Sequence, residues 1–269
     1  MLQQLNSDIP RLLYDVQQYV FPQVYAPAGG ADGHSVDRLV HHIRHLAAIL
    51  VETVQRVSPP TPPQTARETS PDAVAEAFVS ELPTISRLLH SDVEAVLMGD
   101  PAASSRVEVI CCYPAITVML HYRVAHVLHR LGVPLLPRMM TERAHAATGV
   151  DIHPAAQIGD SFAIDHGTGI VVGATAIIGS HVMLYQGVTL GALHIRRDEA
   201  GVPIDLPRHP IIEDRVTIYS NSTILGRIRI GHDSVVGGNL WITSDVPPGS
   251  HLRQHRPVRA QHFTDGAGI

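Results

Sequence analysis

Apolar residues recur at three- and four-residue spacing through the first half of the chain: Leu12, Leu13, Val16 and Val20, then Val40, Ile43, Leu46, Leu50 and Val54. That is the period of an amphipathic helix. The pattern breaks at SPPTPPQTARETSP (58–71), a Pro-rich polar run that reads as an extended linker. Ser70-Pro71, followed by an acidic, Ala-rich run, offers an N-cap residue with proline at the first helical position. Helices are predicted over 71–98, 106–131 and 136–147, with GDPAASS (99–105) as a turn.

From Gly149 onward the period changes. Ile152, Ile158 and Ile164 lie six apart, as do Val172, Ile178, Leu184 and Leu190, and again Ile212, Ile218, Ile224, Ile230, Val236 and Ile242. Four residues after most of these anchors comes a small or apolar residue: Ala156, Thr168, Ala176, Val182, Val188, Val216, Ser222, Ile228, Ser234 and Leu240. A six-residue period held over this length predicts a hexapeptide parallel β-helix, in which three hexapeptides close one triangular coil and the anchors stack inside. A sandwich of short strands would instead show variable spacing of about 8–12 residues. The expected class is therefore α+β. A helical domain covers 1–148, a β-helix 149–250 with a loop at 191–211, and a tail 251–269.

The six-residue register slips twice. Ile164 and Val172 are eight residues apart, and the two extra residues fall within AIDHGTGIVV (163–172). Leu190 and Ile212 are 22 apart, and the Gly- and Pro-rich segment between them is expected to leave the coil as a loop. Loops on a rigid scaffold are where binding residues concentrate, although a spacing break can also be a neutral insertion. Asp151 and His166 are 15 residues apart, so on an 18-residue coil they fall one rung apart and near one edge. An Asp beside a His can fix the imidazole tautomer and support the imidazolium formed when the ring takes a proton. The alternative is that His166 is solvent-facing filler in a chain with 18 histidines.

Composition narrows the classes. With 45% apolar and 17% charged residues the chain is ordinary for a soluble globular protein. A net charge of −5 gives no reason to expect nucleic acid or an anionic membrane as a partner. The opening MLQQLNSDIP lacks the basic and apolar regions of a secretory signal. The apolar stretch Val107–Leu128 carries Glu108, Pro114, His121, Arg123 and His126, which predicts a buried helix rather than a membrane span. Adjacent Cys111 and Cys112 have neither zinc spacing nor a disulfide framework and are expected to be small core residues in a reducing compartment. A cytoplasmic protein is expected.

GVDIHPAAQIGDSFAIDHGTGIVVGATAIIG (149–179), YQGVTLGA (185–192) and RHP (208–210) closely resemble the serine O-acetyltransferase family, a group of hexapeptide-repeat acyltransferases. MGDPAA (98–103) and HYRVAHVLHRLG (121–132) resemble that family's N-terminal helical domain. The resemblance implies a left-handed β-helix and transfer of acetyl from acetyl-CoA to the L-serine hydroxyl, giving O-acetyl-L-serine for cysteine synthesis, with no metal. It implies His166 as general base and Asp151 as its orienting carboxylate. Asp100 and Asp165 would hold the substrate amino group and hydroxyl, and Arg208 and His209 its carboxylate and reacting region; His209 is equally placed to stabilise the oxyanion. The cofactor arm would run near Gly191, Ala192, Ser220 and Gly238. The resemblance also implies a homotrimer or dimer of trimers with sites between prisms. The terminal Gly-Ile at Ile269 is like tails that enter the active site of O-acetylserine sulfhydrylase (cysteine synthase).

The segment GALHIRRDEAGVPIDLPRHP is about eight residues longer than the family's short loop, YSNS (219–222) replaces the usual Gly-Ala-Gly-Ala, and RQHRPVRAQHF (253–263) replaces the closing Gly-Val-Pro-Ala-Arg. These departures lie where CoA and acceptor meet. Three rival readings stand beside the resemblance. One is a hexapeptide acyltransferase for another small hydroxyl acceptor, homoserine or a sugar. Another is a β-helix metal enzyme of the carbonic anhydrase kind using His166, His181 and His194, whose spacings do not stack them on one edge. The third is a non-catalytic scaffold.

Overall fold

The computed structural model describes residues 2–25, 35–57, 70–194, 197–199, 201–202, 204 and 206–254. The Pro-rich linker, apart from Ser70 and Pro71, and the tail beyond Gln254 lie outside the described residues. The chain opens with helices α1 (Leu2–Val20), α2 (Pro22–Tyr25) and α3 (Ser35–Val57). Leu12, Leu13 and Val16 of α1 and Ile43 and Leu46 of α3 are buried, as their spacing requires. Helix α4 (Pro71–Gly99) starts where Ser70 caps it, accepting a hydrogen bond from the Ala73 amide at 3.2 Å.

The helix expected over 106–131 is two helices, α5 (Arg106–Cys112) and α6 (Pro114–Arg130), bent by 72° at Tyr113. Proline at the first position of α6 removes the amide that would have continued the ladder and drives Tyr113 to extended dihedrals (φ −84°, ψ 124°). The expectation of a buried helix holds for α6, which buries Met119, Leu120, Tyr122 and Leu128 among others, but not for α5, which buries Val109 alone. Cys111 and Cys112 consequently lie exposed rather than in the core, because a seven-residue helix turns only one residue inward. Helix α7 (Leu136–Thr148) ends on Gly149 in the left-handed region (φ 74°) and hands the chain to the first strand. Among the described residues no single helix is long and apolar enough to cross a membrane.

Among the described residues, fourteen short strands then form three parallel sheets, one per side of a prism. Side A stacks β1 (Asp151–Ile152), β4 (Val171–Val172), β7 (Thr189–Gly191), β10 (Thr223–Leu225) and β13 (Trp241–Ile242). Side B stacks β2 (Gln157–Ile158), β5 (Ile177–Ile178), β8 (Ile211–Ile212) and β11 (Arg229–Ile230). Side C stacks β3 (Ala163–Asp165), β6 (Met183–Tyr185), β9 (Thr217–Ile218), β12 (Val235–Val236) and β14 (His251–Leu252). The result is a left-handed β-helix of about five coils, extending two residues beyond the expected boundary at 250 because β14 pairs with β12. Every six-residue anchor from Ile152 to Ile242 is buried, and in-register pairs such as Leu184 with Ile218 stack anchor on anchor.

The corner after side C explains the first register slip. Its ladder runs from Gly169 to Gly149, Gly187 to Thr168, Asn221 to Gln186 and Asn239 to Ser220, all at 2.8–2.9 Å. Gly169, Gly187, Asn221 and Asn239 all adopt positive φ, which lets the chain turn sharply at each level. On the first coil two additional residues precede this ladder. Ile170, fully buried, therefore fills the inward position expected for Thr168, which is exposed.

Candidate functional site

A buried polar cluster helps join the helical domain to the first coil. Arg123 on α6 donates to both Asp92 carboxylate oxygens (3.1 and 2.9 Å) and to the carbonyls of Ile158 (2.7 Å) and Gly159 (2.6 Å). Asp92 also accepts from the Phe162 amide at 3.0 Å. Arg123 is 4% exposed and Asp92 fully buried, so every charge-bearing atom is satisfied in a dry joint. Because Asp92 lies two turns before the end of α4, this clamp sets where that helix delivers Asp100.

Asp100 caps α4 and its carboxylate is held twice, by the Ala102 amide on Oδ1 (2.8 Å) and the Tyr113 hydroxyl on Oδ2 (2.6 Å). Hydrogen bonding to Tyr113, then to Ala102, lowers its pKa and keeps it anionic. The same bond pushes the Tyr113 phenol up to about 12, with Asp165 among the charges acting on it. Asp165 ends β3, and His166 follows in the left-handed region (φ 56°) with its side chain 71% exposed. The inserted corner residues thus carry the imidazole out of the wall, with Nε2 3.8 Å from Asp165 and the ring near enough to lower the Asp100 pKa. Below them Tyr185 and Tyr219 stack at 4.7 Å. This edge between sides C and A gathers two carboxylates and one imidazole in reach of solvent.

Asp151 occupies side A opposite Val171, beside that edge, and its ionic neighbour is the Arg138 guanidinium at 3.6 Å. Among the described residues, the carboxylate within ionic distance of His166 is Asp165 and not Asp151. Glu142, His145 and Asp151 form the only described group compact enough for a metal, and Arg138, at 2.5 Å from Glu142, puts a cation against it. His166, His181 and His194 sit on three different edges of the prism, so one chain cannot bring them to a common metal.

Arg208 and His209 lie at the opposite edge of side A, where the 191–211 loop returns to the coil. His209 Nδ1 receives the Thr175 amide at 3.1 Å and lies 2.8 Å from the Thr175 hydroxyl. Its ring packs over Gly173, where any Cβ would collide with Cδ2 and Nε2. Burial first, then the charges of Arg208, His153 and Arg227, lowers its pKa to about 4, so the ring is neutral at physiological pH. Gly191 closes β7 at this edge and Ala192 follows it, while Ser220 and Gly238 stack at the His166 edge, with the Asn239 amide donating to the Ser220 carbonyl at 2.9 Å. The expected site residues therefore divide into two clusters, separated within one chain by the width of side A.

Two residues of these clusters were not singled out by sequence. Tyr113 had a signal, standing directly before Pro114 where a helix must break. Thr175 had none, since its role depends on a loop returning from more than thirty residues later.

No protein-family model matches the chain. It is 50% identical over 219 residues to the plasmid serine acetyltransferase of Synechococcus elongatus, covering 80% of this chain and 68% of that protein. Serine acetyltransferase isoform 3 of Entamoeba histolytica, solved with cysteine, superposes with a TM-score of 0.76 at 32% identity, covering 93% of this chain and 84% of that one. Soybean serine acetyltransferase, solved with serine, superposes with a TM-score of 0.60 at 29% identity, covering 88% and 95%.

Proposed function

From the premise that the chain belongs to the serine acetyltransferase family, we propose that His166 is the general base of its acetyl transfer from acetyl-CoA to L-serine. The observation that carries this reading is the two-residue insertion that lifts His166 from the wall beside the Asp100 and Asp165 carboxylates. Serine enters with its ammonium toward Asp100 and Asp165 and its carboxylate toward Arg208, whose guanidinium suits a bidentate anion. His166 takes the hydroxyl proton as Oγ attacks the thioester carbon. The tetrahedral oxyanion is met by a donor, for which the neutral His209 ring is suited. Collapse breaks the C–S bond, and the imidazolium returns its proton to the CoA thiolate. Asp151 is assigned the support of the imidazolium, a role that requires it to turn from Arg138, its ionic neighbour at 3.6 Å, toward His166. Acetyl-CoA binds as co-substrate, with its arm along Gly191, Ala192, Ser220 and Gly238.

The clusters at the two edges of side A become one site when the His166 edge of one prism meets the His209 edge of the next. A cyclic trimer, alone or paired, provides that contact. Use of acetyl-CoA, an intracellular thioester, supports a cytoplasmic location. Ile269 remains the proposed point of docking to O-acetylserine sulfhydrylase. The test is CoA release measured separately with L-serine, homoserine and simple sugars, for wild type and His166→Ala. Serine should be the preferred acceptor, and the variant should lose about 10²–10⁴-fold in kcat. Preference for another acceptor would overturn the substrate, and an unimpaired variant would overturn the base.

A further inference from the structure

We infer that Thr175 is a positioning residue that sets the tautomer of His209, so that the neutral ring presents Nε2–H to the anionic group formed or bound at the site. The donors and acceptors around the ring fix this assignment. The backbone amides of Arg208 and His209 donate to the Thr175 hydroxyl oxygen at 2.9 and 3.1 Å, which fills both of its acceptor positions. Its own proton is left to donate, and His209 Nδ1 lies 2.8 Å away. The Thr175 amide donates to the same nitrogen at 3.1 Å. Nδ1 therefore accepts, and a neutral imidazole must then carry its proton on Nε2.

The surroundings keep the ring in this state. Arg227 Nη1 donates to the carbonyls of Thr175 (2.7 Å) and His209 (3.0 Å), tying the two backbones together. Gly173 leaves the space that the ring occupies. Arg208, His153 and Arg227 are the charged or titratable groups facing the ring, and each opposes its protonation. No described residue accepts from Nε2–H, so the donor is available to a ligand. Such support of a functional imidazole through its second nitrogen is the general means of fixing ring orientation.

This inference rests on His209 belonging to the acetyl-transfer site, and the experiment separates the two. Thr175→Val removes the hydroxyl at nearly constant shape, Thr175→Ala removes it should valine fail to fold, and Thr175→Ser keeps it. Turnover of L-serine with acetyl-CoA is expected to fall about tenfold in kcat for Val or Ala, the worth of one hydrogen bond, and to recover in Ser. The KM for acetyl-CoA and the acid limb of the pH–kcat profile above pH 5 should not move. Nitrogen-15 spectra of histidine-labelled protein, with the His209 signal identified by its loss in His209→Gln, should show Nε2–H in wild type and a measurable share of Nδ1–H in Thr175→Val, where the backbone amide alone is left to hold Nδ1 as an acceptor. Wild-type turnover and tautomer in the Val and Ala variants, with His209→Gln impaired, would overturn the role of Thr175 alone. Wild-type turnover in His209→Gln would instead overturn the place of His209 in the site.

Discussion

Asp100, proposed to hold the serine ammonium, shows how a surface carboxylate is prepared for that role. It sits at a helix C-terminus, where the partial negative charge of the helix already disfavours anions, yet two hydrogen bonds keep it ionised and fixed in direction. Tyr113 supplies the shorter of the two, from the residue at which α5 and α6 part. Removing its hydroxyl should free one carboxylate oxygen and blur the direction of the site's negative charge. Tyr113→Phe is accordingly expected to raise KM for serine about tenfold, while KM for acetyl-CoA stays at its wild-type value in steady-state kinetics. His209 shows the opposite preparation, a ring kept neutral. Because its folded-state pKa lies near 4, below that of a free histidine, it disfavours the protonated form. Its contribution to stability is present above about pH 6.5 and is lost as pH falls through 4.

At the scale of elements, the joint between α4, α6 and the first coil decides whether the helical domain can serve the site. Truncating Arg123 to methionine should strand the buried Asp92 carboxylate and cost about 3–5 kcal/mol. Chemical denaturation would measure that loss. Near-wild-type stability would mean the joint is held by its apolar neighbours, Tyr122 and Phe162. The solenoid was legible in the sequence because one short period writes every inward position, from Ile152 to Ile242, without reference to distant residues. The slip at AIDHGTGIVV was legible for the same reason, and it marked the corner that carries His166. What escaped were features set by approach across the fold. The α5–α6 break was hidden by a continuous apolar composition, although Pro114 announced it. The Asp151–Arg138 pairing depends on how α7 lies against β1, which coil arithmetic does not contain. Thr175 meets His209 only because the long loop closes back onto the second coil.

At the scale of the whole molecule, the three-sided prism leaves side A with the exposed His166 imidazole at one edge and the Arg208–His209 pair at the other. Trp241, 70% exposed on that side, and Val171 add apolar surface suited to contact with another copy. The central claim is that one working site takes His166 from one chain and His209 from the next. It is tested most directly by mixing two inactive proteins, His166→Ala and His209→Ala, under conditions that let subunits exchange, and assaying CoA release with L-serine. Random reassembly of equal amounts into closed rings should restore about one quarter of wild-type activity, since half the sites draw an intact His166 and half of those meet an intact His209. Recovery near that fraction is the predicted result. Exchange demonstrated by tagged subunits, with no recovered activity, would contradict the account.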